Sequence, residues 1–212
     1  MYDEKHRFHM LSNNREQSNR LLQKGVREKL LCEDCEQKLS IWERYASQLL
    51  SGGAAIVATR DKNLWHLSGV DYIPFRLFQL SILWRASIST LDFFANVSLG
   101  EHEEKIRRLL VSGDPGLPWQ YGCVMCGLIA DETILTDLMI QPDRLKLHGH
   151  NAYRFVFSGF MWIYLASSHM PPTPIQSAIL GTSGKMTILV RNIESVKYVE
   201  RLADELFEQQ KV

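Results

Sequence analysis

Between Pro74 and Ser89 apolar residues fall on nearly every face of a helix: Phe75, Leu77, Phe78, Leu80, Ile82, Leu83, Trp84, Ala86 and Ile88. A run of this length at helical spacing, opened by a proline suited to the first turn, predicts a helix. An amphipathic helix buries one face, whereas this one must be covered on most sides. The remaining elements therefore have to be arranged around it as the centre of a core.

The flanking segments supply the cover. Leu39, Trp42, Tyr45 or Ala46, and Leu49 recur at helical spacing up to Gly52-Gly53, predicting a helix that starts near Glu33 to Glu36. A third helix is expected over about 101–111, stopped by Gly113-Asp-Pro-Gly116. Short extended segments fill 54–59 and 64–70. In the second half the period changes, and 121–130, 144–147, 153–157, 160–167 and 186–190 read as strands. Ser158-Gly159 marks a tight hairpin. A final helix is expected over about 193–209, with Val196, Val199, Leu202, Leu206 and Phe207 on one face. Residues 1–31 read as an irregular arm, since Asn13, Asn14, Ser18, Asn19 and Gly25 interrupt any helix.

These elements predict an α+β fold with a knuckle-bearing arm, a helical middle, and an antiparallel sheet closed by the C-terminal helix. The expected division is residues 1–53 for the arm and its helix and 54–212 for a larger α+β domain.

Lys plus Arg and Asp plus Glu both total 24 in 212 residues, so no global field favours nucleic acid or membrane. Only a local strip is basic: Arg15, Arg20, Lys24, Arg27 and Lys29. The longest apolar stretch, 155–168, is too short to span a bilayer, and the charged N-terminus has no signal core. Paired cysteines without a signal peptide suggest reduced thiols or metal ligands, and a cytoplasmic protein with no membrane partner is expected.

The chemistry-bearing candidates are two C-x-x-C pairs. Cys32 and Cys35 lie in the polar segment Lys29-Leu-Leu-Cys-Glu-Asp-Cys-Glu36, where two thiolates could grip a tetrahedral zinc ion from one turn. Three ligand sets compete: His6 and His9 joining Cys32 and Cys35, Cys123 and Cys126 folding back to complete four sulfurs, or donors from outside the chain. Cys123-Val-Met-Cys126 lies in an apolar stretch and reads as buried strand. Arg85, within the apolar helix, is expected to pair with a carboxylate. Glu101, Glu103 and Glu104 complement a helix dipole, His148-Gly-His150 is a weak metal candidate, and Thr182-Ser-Gly-Lys185 reads as a turn.

The segment from Gln23 to Ala46, with its Leu-Cys-Glu-Asp-Cys-Glu knuckle followed by a helix, resembles the second half of an HNH-endonuclease-like zinc-finger pattern found in bacterial proteins. The resemblance covers about residues 2–50, and Tyr72 to Arg108 resembles the companion region of the same proteins. It implies a nucleic-acid-associated protein, with Cys32 and Cys35 fixing the arm while the basic strip meets DNA phosphates. The upstream C-x-x-C and the histidine in a His-Ile-Ile-Pro context are missing from this chain, so nuclease chemistry is not carried over. An active nuclease would require a longer native N-terminus. A non-enzymatic module whose arm folds with a protein partner is the expectation from a different class.

Overall fold

In the computed structural model, residues 8–11, 20–22, 28–136 and 138–196 are described. The elements in chain order are β1 (Phe8–Leu11), β2 (Arg20–Leu22), α1 (Glu33–Leu50), β3 (Val57–Asp61), β4 (Leu64–Ser68), α2 (Tyr72–Ile88), α3 (Glu101–Ser112), β5 (Cys123–Ala130), β6 (Thr133–Ile134), β7 (Leu138–Leu147), β8 (His150–Phe157), β9 (Phe160–Leu165), α4 (Thr173–Gln176) and β10 (Met186–Asn192). The protein is α+β, with one sheet in the order β2-β1-β7-β8-β9-β5-β10-β4-β3 and β6 added beside β5.

The sheet is mixed rather than purely antiparallel. β1 runs parallel to β7, and β10 runs parallel to β5. Two segments expected to be irregular, 8–11 and 20–22, are in fact a pair of strands that extends the sheet past β7. Runs of three or four residues are too short to show a period of two, so only a neighbouring strand identifies them. The predicted helix over 193–209 starts as a single 3-10 turn, Ile193–Ser195; residues 197–212 lie outside the described residues.

Helix α2 fills the place its composition requires. Phe75, Leu77, Leu80 and Leu83 are all at most 1% exposed, between α1 and α3 on one side and the sheet on the other. Asp71 caps it by accepting from the Ile73 N–H, and Pro74 costs no hydrogen bond because first-turn N–H groups have no helical partner. Each fully buried Leu or Phe here contributes roughly 1.5–3 kcal/mol. The Trp162 ring stacks on Phe157 at 4.9 Å and meets Phe75 and Phe78 at 6.2 and 6.1 Å, joining sheet to helix.

Both faces of the central strands are apolar. Along β9, Phe160, Trp162 and Tyr164 face the helices, while Met161 and Leu165 belong to clusters on the opposite face. There Ile175 of α4 packs with Ala152 and Leu165, and Ile193 and Val196 pack with Leu128 and Val156. This explains why the strands read as continuous hydrophobic runs rather than alternating ones. The β8–β9 hairpin turns through Ser158 and Gly159, both with positive φ (56° and 80°), as a two-residue turn of the primed type demands.

Candidate functional site

Helix α1 begins immediately after Cys32, whose extended backbone (φ −74°, ψ 163°) makes it the capping residue. The Glu36 N–H donates to the Cys32 carbonyl at 3.0 Å and closes the first turn. That closure brings Cys35, three residues on, to the same side of the turn as Cys32. Glu33, Asp34 and Glu36 crowd this turn because the helix start carries partial positive charge.

Cys32 is exposed and Cys35 half-buried, and both are free thiols. The Cys32 sulfur does not close the helix end as a serine or aspartate oxygen would. It is nevertheless favoured as a thiolate, first by the Cys35 backbone N–H and then by the Cys35 thiol, which donates toward it; its pKa is lowered. Cys35 shifts the opposite way, raised by the same sulfur–sulfur hydrogen bond, by desolvation and by the Cys32 charge. The two thiols therefore titrate as an unequal pair.

The turn lies between two cavities. One, about 110 Å³, is apolar, lined by Leu31, Cys35, Leu39, Trp42, Trp84 and Leu110, with Lys38 and Arg107 at its rim. The Trp84 indole N–H is buried without a hydrogen-bond partner among the described residues. The other cavity, about 240 Å³, is lined by Glu28, Leu30, Glu36, Arg85, Ser89 and Phe94. Glu28 fastens the chain ahead of the knuckle to the end of α2. Its carboxylate accepts from Ser89 Oγ (2.6 Å) and from the Thr90 N–H (3.1 Å) and hydroxyl, and these bonds hold its pKa down. Nothing in the local sequence signals this contact, because Ser89 lies 61 residues further along the chain.

Arg85 meets a carboxylate as expected: Nη2 lies 2.7 Å from Glu43 Oε1 of α1. The other sequence candidates divide clearly. His6, Arg15, Lys24 and Arg27 lie outside the described residues. His9 stands opposite Leu138 in the β1–β7 ladder, and Arg20 opposite Met10 in β1–β2. Lys29 is exposed just ahead of the knuckle. Among the described residues, no three His, Cys, Asp or Glu side chains converge as a metal cluster.

Cys123 and Cys126 do not complete a four-sulfur site. They sit on β5, where side chains three apart point to opposite faces. Cys123 is fully buried in the helix-side core, and Cys126 packs with the cluster on the far side. Burial pushes the Cys123 thiol pKa well up and that of Cys126 to about 11. His148-Gly149 is the β7–β8 turn, with φ of 47° and 85°. His102 at the head of α3 meets the Tyr121 hydroxyl at 3.1 Å, while Glu101 and Glu104 pair with Lys105, Arg107 and Arg108. The Thr182–Lys185 segment is a turn, as expected. Gly184 approaches Val70 so closely that a Cβ there would stand 2.5 Å from the Val70 carbonyl oxygen.

The residue most easily overlooked in the sequence is Arg76. It occupies a core position of α2 at 0% exposure, with Nη2 donating to the Gln120 carbonyl oxygen. Nε and Nη1 have no hydrogen-bond partner among the described residues, and neither does the nearby Tyr164 hydroxyl. Desolvation lowers its pKa, partly offset by Tyr72 and Cys123.

No family model, curated protein or solved structure matches this chain.

Proposed function

We propose that the protein is a non-catalytic, nucleic-acid-associated module in which Cys32 and Cys35 provide half of a structural zinc site. The observation that carries this reading is the disposition of the pair: two free thiols at positions that one closed helical turn brings to the same side, one of them exposed to further donors. Zinc would draw both protons off, and a tetrahedral site needs two more ligands. His6 and His9 are the candidates within the chain, and a partner protein is the other source. The ion would supply rigidity to the arm, with Arg15, Arg20, Lys24, Arg27 and Lys29 meeting DNA phosphates without reading sequence. A cytoplasmic location, where thiols stay reduced, belongs to the same proposal.

A second reading, a protein-interaction module, is favoured by the apolar cleft beside Cys35, which has exposed Val111 on its wall.

Metal content of the purified chain tests the first reading. One equivalent of zinc should be lost on Cys32→Ser and retained on Cys123→Ser. DNA binding that weakens steeply with salt should accompany the metal. A chain that binds no zinc, or whose zinc survives Cys32→Ser, removes the basis of the reading.

A further inference from the structure

We propose that Cys32 and Cys35 are a thiol–disulfide exchange pair, interconverting between a dithiol and an intramolecular disulfide. The inference concerns the same sulfurs as the zinc site but does not require a metal.

The backbone sets the first condition. Residues three apart in a helical turn have Cα atoms about 5 Å apart, from 3.6 residues per turn and a 1.5 Å rise. A disulfide accepts Cα separations of about 4.4–6.8 Å. The closed first turn places this pair inside that range without unwinding the helix. Cys123 and Cys126 have the same spacing in sequence, but along a strand they are about 10 Å apart, beyond bridging.

The second condition is a division of labour. Exchange begins when an accessible sulfur attacks an external disulfide, and finishes when a second, protected sulfur attacks the first. Cys32 is the exposed member at the helix end, and Cys35 the half-buried one, forming part of the apolar cleft wall. That cleft, with Trp42 and Trp84 in its lining and Lys38 and Arg107 at its rim, gives the group attached to the incoming disulfide a surface to rest on.

The reaction balances with a low-molecular-weight disulfide of the glutathione type as oxidant. The Cys32 thiolate attacks one sulfur of that disulfide, forming a mixed disulfide and expelling a thiolate. Cys35 gives up its proton to the expelled thiolate, and its sulfur attacks Cys32 Sγ, releasing the second thiol. Two protein thiols are oxidised to one disulfide, and one external disulfide is reduced to two thiols. Because both sulfurs are consumed, the oxidised form cannot hold zinc.

The test uses the full chain, stripped of metal, equilibrated in buffers of oxidised and reduced glutathione. The chain is then unfolded in N-ethylmaleimide and its mass measured. The wild type should pass from four labels to two as the buffer becomes more oxidising, with peptide mapping placing the loss at Cys32 and Cys35. Cys35→Ser should accumulate glutathione on Cys32, and Cys32→Ser should acquire it at least tenfold more slowly at Cys35. Four labels under every buffer, equal glutathione uptake by the two variants, or a loss mapped to Cys123 and Cys126 would each overturn the proposal. Zinc content of the reduced chain is measured in parallel. A disulfide without zinc binding sinks only the metal reading, and zinc binding without a disulfide sinks only this one.

Discussion

The pair at the head of α1 and the pair in β5 share the spacing C-x-x-C and almost nothing else. A helical turn brings positions i and i+3 to one side; a strand sends them to opposite faces. Cys32 and Cys35 thus share one side of a turn, exposed and half-buried, while Cys123 and Cys126 are separated by the thickness of the sheet. The first pair has one thiol favoured as its anion, and the second has both thiols held protonated by burial. The lesson is that a ligand motif is a property of the secondary structure carrying it, not of the spacing alone.

The comparison can be strained at several points. The largest effect should come from removing the support behind the buried pair. Trp162 stands opposite Met125 in the β5–β9 ladder and is fully buried, so Trp162→Ala should cost about 3–5 kcal/mol in urea unfolding. A loss too small to measure would show that the sheet does not depend on this ring. Next, Cys123→Ser places a hydroxyl in the core and should cost about 1–3 kcal/mol. Cys32→Ser should leave the urea midpoint of the metal-free chain unmoved, because the sulfur lies at the surface; similar losses for the two variants would erase the contrast.

The smallest effect is in pH dependence. Alkylation of the native chain should report a first proton leaving the α1 pair below pH 9 and a second above it, 9.0 being the value for an unperturbed thiol. The sign follows from the lowered Cys32 pKa. The folded state gains from the Cys32 thiolate above pH 9 and loses that gain as pH falls through the lowered value, while the raised Cys35 pKa opposes it as pH climbs further. Cys123 should react only on unfolding. Two α1 thiols that titrate together at pH 9 would mean that they do not sense one another.

Much of this was legible in the residues. The apolar girth of α2, the start of α1 at the knuckle, the Gly113 stop and the Ser158-Gly159 turn are local, and local chemistry decided them. The Arg85–Glu43 pair followed from the cost of leaving a charge unpaired in an apolar helix. What escaped was long-range. Strands β1 and β2 are too short to carry a pattern, the parallel pairings depend on chain crossings, and Glu28 finds Ser89 and Thr90 only once the helices have packed. Arg76 escaped for another reason. Its neighbours Phe75 and Leu77 announced burial, yet no local carboxylate answered, and its Nη2 donates to the Gln120 carbonyl oxygen instead.

The parallel pairing of β1 with β7 has a consequence for how the chain acquires its shape. Residues 8–11 leave the ribosome long before residues 138–147 exist to receive them. Contacts so distant along the chain form slowly, because a large loop must close before they give any return. During synthesis this segment can pair with β2, but its pairing with β7 must wait while α1, α2 and α3 are made. Its docking would be a late event, and the edge it completes is where a stalled or misassembled chain would first become sticky.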